Sequence, residues 1–183
     1  MDIAVATRPV RPEDATLFCR LWDRLSPETV YRRFHAPLRR PPVPTAQLVE
    51  VDHDLREAVV AVVGDDVVGV ARYDRSPADP ATAEFAVVVE DAWQGVGVGR
   101  QLLGELTRLA AHRGVRILTA TVQADNDRIV HLIRRLLPGS TFTPDLDIYE
   151  VQSPLRPTPA VPDTRLQAAG GLPVSFVLQP VPT

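Results

Sequence analysis

The chain has 183 residues and 45% hydrophobic composition, which is enough for one domain with a substantial core. Its formal net charge of −3 argues against a nucleic-acid partner or an anionic membrane surface, and no apolar run approaches the roughly 20 residues that span a bilayer. Cys19 is the single cysteine, so an internal disulfide is excluded, and the opening Met1-Asp2 lacks a basic, apolar signal segment. We therefore expect a cytoplasmic protein with neither a nucleic-acid nor a membrane partner.

The N-terminal part of the chain predicts a strand followed by two closely spaced helices. Residues 3–8 have strand composition, and apolar positions spaced three and four apart after Pro12 predict the first helix. Ser26 before Pro27 predicts the start of the second helix, because serine caps free N–H groups and proline suits a first turn. Prolines exclude a helix over residues 36–44 and predict a stiff surface loop there.

A three-stranded meander and a strand-loop-helix unit follow. Two β-branched runs flank Gly64-Asp65-Asp66, which predicts an antiparallel hairpin. The third run, residues 82–90, leads into a predicted helix over 98–112 and a strand over 116–122. A strand, a helix and a strand in succession predict a parallel crossover beside the meander. The sequence therefore predicts an α/β fold with a mixed sheet.

The C-terminal part begins with a regular segment and ends in a proline-rich one. Apolar spacing predicts a helix over residues 126–137, and composition predicts a further strand over 147–152. We place one domain over residues 1–152 and a proline-rich tail over residues 153–183. Residues 172–178 have strand composition, and their pairing with the chain's own sheet or with a second protomer in a homodimer is left open.

A glycine-rich loop separates the strand over 82–90 from the helix over 98–112. Gly95, Gly97 and Gly99 weaken that helix where it must nucleate, since a helical glycine costs roughly 1 kcal/mol relative to alanine. Bare N–H groups at a helix N-terminus bind phosphate, aided by the positive end of the helix dipole. The loop therefore predicts an anion site. The alternative is that glycine only lets the helix lie close to a neighbouring strand.

Two familiar phosphate loops do not fit these residues. A P-loop needs lysine and then serine or threonine after its last glycine, whereas Gly99 is followed by Arg100-Gln101. The dinucleotide fingerprint needs a different glycine spacing and an acidic residue about 20 positions on, which this chain lacks. The stretch Gln94-x-x-Gly97-x-Gly99 instead resembles the Arg/Gln-x-x-Gly-x-Gly/Ala loop of the GNAT superfamily of N-acetyltransferases.

The resemblance to this superfamily covers about residues 7–137. Residues 25–34 and 83–89 look most like the acetyltransferase domains of bacterial protein lysine acetyltransferases. The resemblance implies a GNAT-like mixed, mostly antiparallel sheet flanked by helices, with a central strand-loop-helix site for acetyl-CoA. It implies that acetyl-CoA is bound by main-chain groups of the strand, by the loop and by the start of a later helix, at Val87, Val88, Val89, Gln94, Gly95, Val96, Gly97, Val98, Gly99, Arg100 and Asn126.

The chain departs from the family pattern in the groups around the cofactor. Val96 stands where such loops usually carry arginine, so one basic group near the phosphates is missing. Ile133 stands where a tyrosine often protonates the departing thiolate, so no leaving-group acid is identified. Asn126 either orients substrate-side backbone or the pantetheine arm, or caps its own helix through its side chain.

Glu84 is the candidate general base. It alternates with Ala86 and Val88 on one face of an otherwise apolar strand, where desolvation is expected to raise its pKa toward neutrality. Standing ten residues before Gln94, it also matches the catalytic glutamate of the lysine acetyltransferase domains. The alternative is a strand glutamate that pairs with an arginine or faces water.

These residues predict an N-acetyltransferase that moves an acetyl group directly from acetyl-CoA to an amine, with a protein lysine as the leading acceptor. A small-molecule amine N-acetyltransferase and a non-catalytic acyl-CoA-binding module are the alternatives. No metal is expected: Asp52-His53-Asp54 are consecutive residues that point in different directions, and no second group of ligands accompanies them. They could instead form an acidic lip that attracts a lysine.

Overall fold

The computed structural model describes residues 4–76 and 78–156. The predicted last strand over residues 172–178, with its pairing to the sheet or to a second protomer, lies outside these ranges. Within them, the elements in chain order are β1 Ala6–Pro9, a 3-10 turn Pro12–Asp14, α1 Ala15–Arg24, α2 Pro27–Phe34, α3 Thr45–Val49, β2 Arg56–Val63, β3 Asp66–Arg75, β4 Thr82–Val89, a 3-10 turn Asp91–Trp93, α4 Val98–His112, β5 Ile117–Gln123, α5 Asp127–Leu136, β6 Thr141–Asp145 and β7 Ile148–Pro154.

The seven strands of the described residues form one sheet in the order β1-β2-β3-β4-β5-β7-β6. Neighbouring strands are antiparallel except β4 and β5, which run parallel. Helix α4 lies in the crossover between these two strands, because parallel neighbours cannot be joined by a tight turn. The prediction of a mixed, mostly antiparallel sheet flanked by helices is confirmed.

Helix α4 packs its apolar face on β2, β3 and β4 and forms the main core with them. Leu102, Leu103 and Leu106 are fully buried there, as the helical spacing predicts. Gly69 on β3 lets the helix come this close, because a Cβ at that position would lie 3.0 Å from Leu102 Cδ1 and 3.0 Å from Val88 O. The glycine that permits close helix packing therefore stands in the sheet and not in the loop before α4.

The opposite face of the sheet is covered by α1, with α3 beside it. Phe18 and Leu21 of α1 are buried against apolar side chains of β2 and β3. Helix α2 packs against β4 and begins as predicted, with Ser26 Oγ accepting a hydrogen bond from the N–H of Thr29 at 3.1 Å. None of the helices in the described part of the chain is long and apolar enough to cross a membrane.

The C-terminal hairpin differs from the prediction in two respects. The sequence predicts no strand over Thr141–Asp145, where the structure has β6 at the edge of the sheet. This strand is short, mostly exposed and contains Pro144, features that an edge strand tolerates and a pattern search rejects. Strand β7 also continues to Pro154, past the predicted end at residue 152, with Ser153 fully buried and hydrogen-bonded to Ser140 Oγ.

Candidate functional site

The centre of the sheet opens where β4 and β5 stop pairing. Their parallel ladder joins Thr82–Glu84 to Ile117–Thr119 and goes no further. Both strands nevertheless continue, β4 to Val89 and β5 to Gln123. The main-chain groups along the facing edges beyond the ladder therefore lack the strand partner that a closed sheet would give them. We call this opening the β4–β5 gap.

The main chain of β4 faces the gap at alternate residues. Glu90 donates its N–H to the carbonyl of Val68 at 2.9 Å, so the main-chain groups of Glu90 point toward β3. Because N–H and C=O groups alternate sides along an antiparallel ladder, Val88 also points toward β3, whereas Val87 and Val89 point into the gap. Of the three predicted strand residues, Val88 therefore directs its amide into the β3–β4 ladder and not into the gap.

Gln94 holds the mouth of the gap together through both ends of its side chain. Its Nε2 donates to the carbonyl of Val89 at 3.0 Å and to Thr29 Oγ1 at 3.1 Å. Its Oε1 accepts a hydrogen bond from Arg128 Nη1 at 2.8 Å. Sequence reasoning places Gln94 among the cofactor ligands, whereas in the structure its amide group connects β4, α2 and α5 and positions the loop.

Asp91 makes a second connection between the loop and α2. Its carboxylate accepts hydrogen bonds from Ser26 N at 2.9 Å, Ser26 Oγ at 2.7 Å and Thr29 Oγ1 at 2.8 Å. Burial acts to raise the pKa of Asp91, but the hydrogen bonds from Ser26 and Thr29 outweigh it and hold the pKa below its ordinary value. Sequence reasoning missed this contact, because nothing local signals a partner so far along the chain.

The glycine loop, residues 94–97, leads into α4 without a side-chain cap. Gly95 has φ 77° and Gly97 has φ 96°, a left-handed backbone that favours glycine. Gln101 makes the first helical bond, to the carbonyl of Gly97 at 3.1 Å. Among residues 4–76 and 78–156, no group accepts a hydrogen bond from the N–H groups of residues 95–100. A row of free donors therefore stands at the positive end of the α4 dipole.

Close helix packing does not explain the loop glycines. A Cβ added to Gly95 or to Gly97 would meet no atom within 4 Å. At Gly99, inside α4, a Cβ would lie at an ordinary 3.5 Å from Leu132 Cδ2. Gly95 and Gly97 are thus required by backbone conformation and leave open space above the free N–H groups, as an approaching anion needs.

Of the remaining predicted loop residues, Val96 and Val98 can offer an anion only their main-chain groups. Val96 projects into solvent, with 65% of its surface exposed, and Val98 is buried in the core. Arg100 is exposed and lines a shallow depression of about 520 Å³ that begins at Gly97 and runs along α4. Side-chain contact to an anion is therefore available from Arg100 and not from either valine.

Asn126 caps helix α5. Its Oδ1 accepts a hydrogen bond from the N–H of Ile129 at 3.4 Å, which is one of the two roles left open by the sequence. Ile133 is fully buried in the main core. The position at which a tyrosine often protonates the leaving thiolate therefore presents no side chain to the gap.

Glu84 stands on the face of β4 that carries Ala86 and Val88, as predicted, but its side chain is exposed. The expected desolvation of this carboxylate is not observed, because the side chain is exposed to solvent. Within the described residues Glu84 has no hydrogen-bond or ion-pair partner, so of the two alternatives the pairing with an arginine is not observed and the exposure to water is. Its carboxylate faces solvent at the last pair of the β4–β5 ladder.

Arg33 interacts electrostatically with Glu84, and sequence reasoning did not single it out. Its guanidinium is half-buried and lies over the ring of Phe34, 4.7 Å from the ring centre. Burial lowers its pKa and the nearby Arg72 lowers it further, while Glu84 and Asp74 act in the opposite direction. The available signal was helical spacing, since Arg33 stands three residues after the buried Val30 on the helix that faces β4.

Asp52-His53-Asp54 form a turn before β2. Asp52 Oδ1 accepts the N–H groups of Asp54 and Arg56, each at 2.9 Å, and Asp54 pairs with Arg75 at 2.8 Å. In the described ranges, no group of three or more His, Cys, Asp and Glu side chains could hold a metal ion. Both carboxylates therefore have partners close by, which weakens the alternative of an acidic lip.

Comparison with known proteins gives a consistent answer for most of the chain. A family model described as the acetyltransferase (GNAT) family matches residues 18–137. The GNAT domain of S. lividans PAT superposes with a TM-score of 0.74 at 27% identity, covering 82% of this chain and 90% of that domain. The predicted GNAT-like architecture is thereby confirmed.

Two relatives with named activities are also similar. Acetyltransferase Pat of Mycolicibacterium smegmatis is 31% identical over 158 residues, covering 85% of this chain and 47% of the relative, so the chain spans about half the length of that protein. The L-methionine sulfoximine/L-methionine sulfone acetyltransferase of Pseudomonas aeruginosa is 32% identical over 116 residues, covering 57% of this chain and 67% of the relative.

Proposed function

This chain belongs to the acetyltransferase (GNAT) family, and from that premise we propose that it moves an acetyl group from acetyl-CoA directly to an amine, with a protein lysine as the leading acceptor. The family assignment makes the chain an acyltransferase and sets aside the alternative of a silent acyl-CoA-binding module. The observation that carries the proposal is the row of free N–H groups over residues 95–100 at the start of α4.

The free N–H groups are suited to the pyrophosphate of acetyl-CoA. The loop leaves open space around Gly95 and Gly97, the N–H groups stand at the positive end of a helix dipole, and no side chain caps them. The cation that Val96 does not provide is supplied from α5 by Arg128, whose guanidinium is anchored to Gln94 at the mouth of the loop. Arg100 adds a second charge where the depression along α4 begins.

The β4–β5 gap is suited to the reacting end of the cofactor. Acetyl-CoA supplies the acetyl group as a thioester, whose carbon–sulfur bond breaks as the amine nitrogen forms the amide. The proton that this nitrogen loses goes to the departing thiolate, so that CoA leaves as the thiol. The N–H groups of Val87 and Val89 point into the gap, and one of them donates to the thioester carbonyl oxygen, where negative charge develops. The carbonyl of Val89 already accepts from Gln94, so its main chain is held in place before any ligand binds.

Glu84 takes the proton that the acceptor ammonium must lose. Its carboxylate is exposed, has no partner among the described residues and stands where the β4–β5 ladder ends. A carboxylate without a partner can accept a proton without first breaking an ion pair. Its position on the α2 side of the sheet lets an amine approach from the face opposite α4.

The protein-lysine acceptor is supported by the resemblance of residues 25–34 and 83–89 to bacterial protein lysine acetyltransferase domains. Cell lysate is incubated with the protein and labelled acetyl-CoA, and the products are identified by mass spectrometry. The chain contains no lysine, so every acetyl-lysine found belongs to an acceptor. Modified lysines that depend on added enzyme and disappear with Glu84→Gln are the expected result.

A small-molecule amine is the second candidate, and one relative favours it, because its name describes an acetyltransferase for two methionine derivatives. Release of free CoA is followed with a panel of small amines and with lysine peptides, in the absence of other protein. Turnover on amines and not on peptides or lysate proteins would replace the leading acceptor and leave the catalytic groups unchanged. Absence of CoA release with every acceptor would overturn the proposed reaction.

A further inference from the structure

Four charged side chains share one region of the sheet next to α2. Asp74 and Glu84 are opposite each other on β3 and β4. Arg72 binds Asp74 through two hydrogen bonds of 3.1 Å each, in the forked geometry that suits a carboxylate. Arg33 stands on α2, which packs against β4, and its charge interacts with those of Arg72, Asp74 and Glu84. One cation and one anion are therefore matched with each other, and Arg33 and Glu84 are left over.

Arg33 and Glu84 do not satisfy each other. Among the described residues neither makes a hydrogen bond, and no nitrogen of Arg33 lies within 4.0 Å of a Glu84 oxygen, the limit for an ion pair. They are nevertheless close enough for the charge of Glu84 to influence Arg33. The two opposite charges therefore interact without a direct contact between them.

The guanidinium of Arg33 is positioned to bind an anion. The stacked ring of Phe34 limits the movement of the guanidinium, and the side chain is half-buried. A cation that has lost part of its water without gaining a partner raises the free energy of the protein, which a bound carboxylate relieves. Guanidinium prefers carboxylate because its N–H groups match the two oxygens. Little side-chain freedom remains to be lost on binding.

We propose that Arg33 binds a carboxylate that the acceptor carries close to its reactive amine, so that the preferred acceptor is an amine with an acidic group a few bonds away. The ammonium then lies toward Glu84 and the carboxylate toward Arg33, and the ligand spans the distance between them. Two sources present this chemistry: a free amino acid, and a lysine with an acidic neighbour in a peptide. This inference rests on the proposed function, because it assigns the acceptor of the same site.

The test compares acceptors that differ only in the carboxylate. Free L-amino acids are each measured beside their carboxamides, and lysine peptides with a neighbouring glutamate are measured beside the glutamine versions. With the wild-type protein, we expect kcat/KM for the acidic member of at least one series to exceed the neutral member by about 10- to 100-fold, the range of a charged hydrogen-bonded pair. The series that shows this preference tells whether the carboxylate belongs to a free amino acid or to a peptide.

Arg33→Gln should abolish that preference by lowering kcat/KM for the acidic member alone, with KM for acetyl-CoA unchanged. Arg32→Gln is the matched control, because the adjacent Arg32 pairs with Glu28 at 2.9 Å and with Asp125 at 3.2 Å and should leave the preference intact. Arg33→Lys, which keeps the charge without the fork, should retain part of the preference. Equal kcat/KM for acidic and neutral members in wild type, or a preference that survives Arg33→Gln, would overturn the inference.

Calorimetric titration of the same amines onto the protein mixed with CoA separates this inference from the proposed reaction. Tighter binding of the acidic member that is lost in Arg33→Gln supports the inference even when no product forms, and the missing product then counts against the reaction alone. Equal affinity for the acidic and the neutral amine would overturn the inference, whether or not product forms.

Discussion

Asp74 and Glu84 lie directly opposite each other on the antiparallel strands β3 and β4. Two carboxylates in this arrangement repel each other unless cations are near. Arg72 binds Asp74, so the repulsion on that side is relieved, while Glu84 keeps a carboxylate with no partner among the described residues. Two chemically similar residues on one face are thereby separated into a carboxylate in an ion pair and a carboxylate without a partner among the described residues.

Replacing Glu84 by glutamine should lower kcat by roughly 10²- to 10⁴-fold, the contribution expected of a general base, and leave the affinity for acetyl-CoA unchanged. Asp74→Asn is the matched control, since it removes the opposite carboxylate, and its kcat should change much less. Steady-state kinetics and calorimetric titration measure the two quantities. Equal losses of kcat in the two variants would assign the effect to the charge of this face and not to a base.

Gly97→Ala and Gly99→Ala should have opposite effects on the free energy of unfolding, and only Gly97→Ala should weaken binding of acetyl-CoA. The left-handed backbone of Gly97 costs an alanine about 1 kcal/mol or more of folding free energy, and relaxing it moves the free N–H groups, so binding of acetyl-CoA should weaken about tenfold. At Gly99 the helical backbone accepts a Cβ in ordinary contact with Leu132, so alanine should add up to about 1 kcal/mol of stability and preserve binding. Chemical denaturation measures the stability of the two variants, and titration measures their affinity for acetyl-CoA. Equal losses of affinity would contradict a specific role for the left-handed backbone of Gly97.

Arg128→Gln should weaken acetyl-CoA binding most at low salt, because the guanidinium that Gln94 anchors at the loop supplies charge to the phosphates. Arg135→Gln is the matched control, as it makes the same change of charge on an exposed residue at the other end of α5. Affinity is measured by titration at several salt concentrations. A salt dependence identical to that of the control would show that Arg128 only supports Gln94.

Asp14→Asn should lower the free energy of unfolding at pH 7 by about 2 kcal/mol, because the buried carboxylate accepts two hydrogen bonds from Arg8 at 2.7 Å each. The hydrogen bonds to Arg8 hold the pKa of Asp14 below its ordinary value, against the effect of burial. A depressed folded pKa gives stability that is present above the unfolded pKa and is lost as pH falls through the folded pKa. The difference from wild type should therefore vanish in acid.

Chemical denaturation over a pH series measures this effect. Glu105→Gln is the control, since Glu105 makes a surface pair with Arg108 at 2.7 Å and its loss should cost about 0.5 kcal/mol or less. A difference between Asp14→Asn and wild type that stays constant into the acid range would mean that the variant removes packing and not an ionised contact.

Local signals were sufficient for most elements. The predicted helix over residues 98–112 has the bounds that the structure gives α4, and Ser26 caps α2, because both depend on neighbours three or four positions away. The predicted strand over 82–90 ends within one residue of β4. Strand β6 was missed because an edge strand need satisfy only one partner and tolerates polar residues and proline.

The sequence by itself determined the strand-loop-helix unit, the glycine-rich loop and the position of Glu84 on its strand, since these follow from composition and spacing within a few residues. Only the tertiary structure decided that Glu84 is exposed, that Gln94 holds the loop through Thr29 and Arg128, and that Arg33 of α2 lies within electrostatic reach of Glu84. These depend on contacts between positions dozens of residues apart, which exist only once the helices have packed against the sheet.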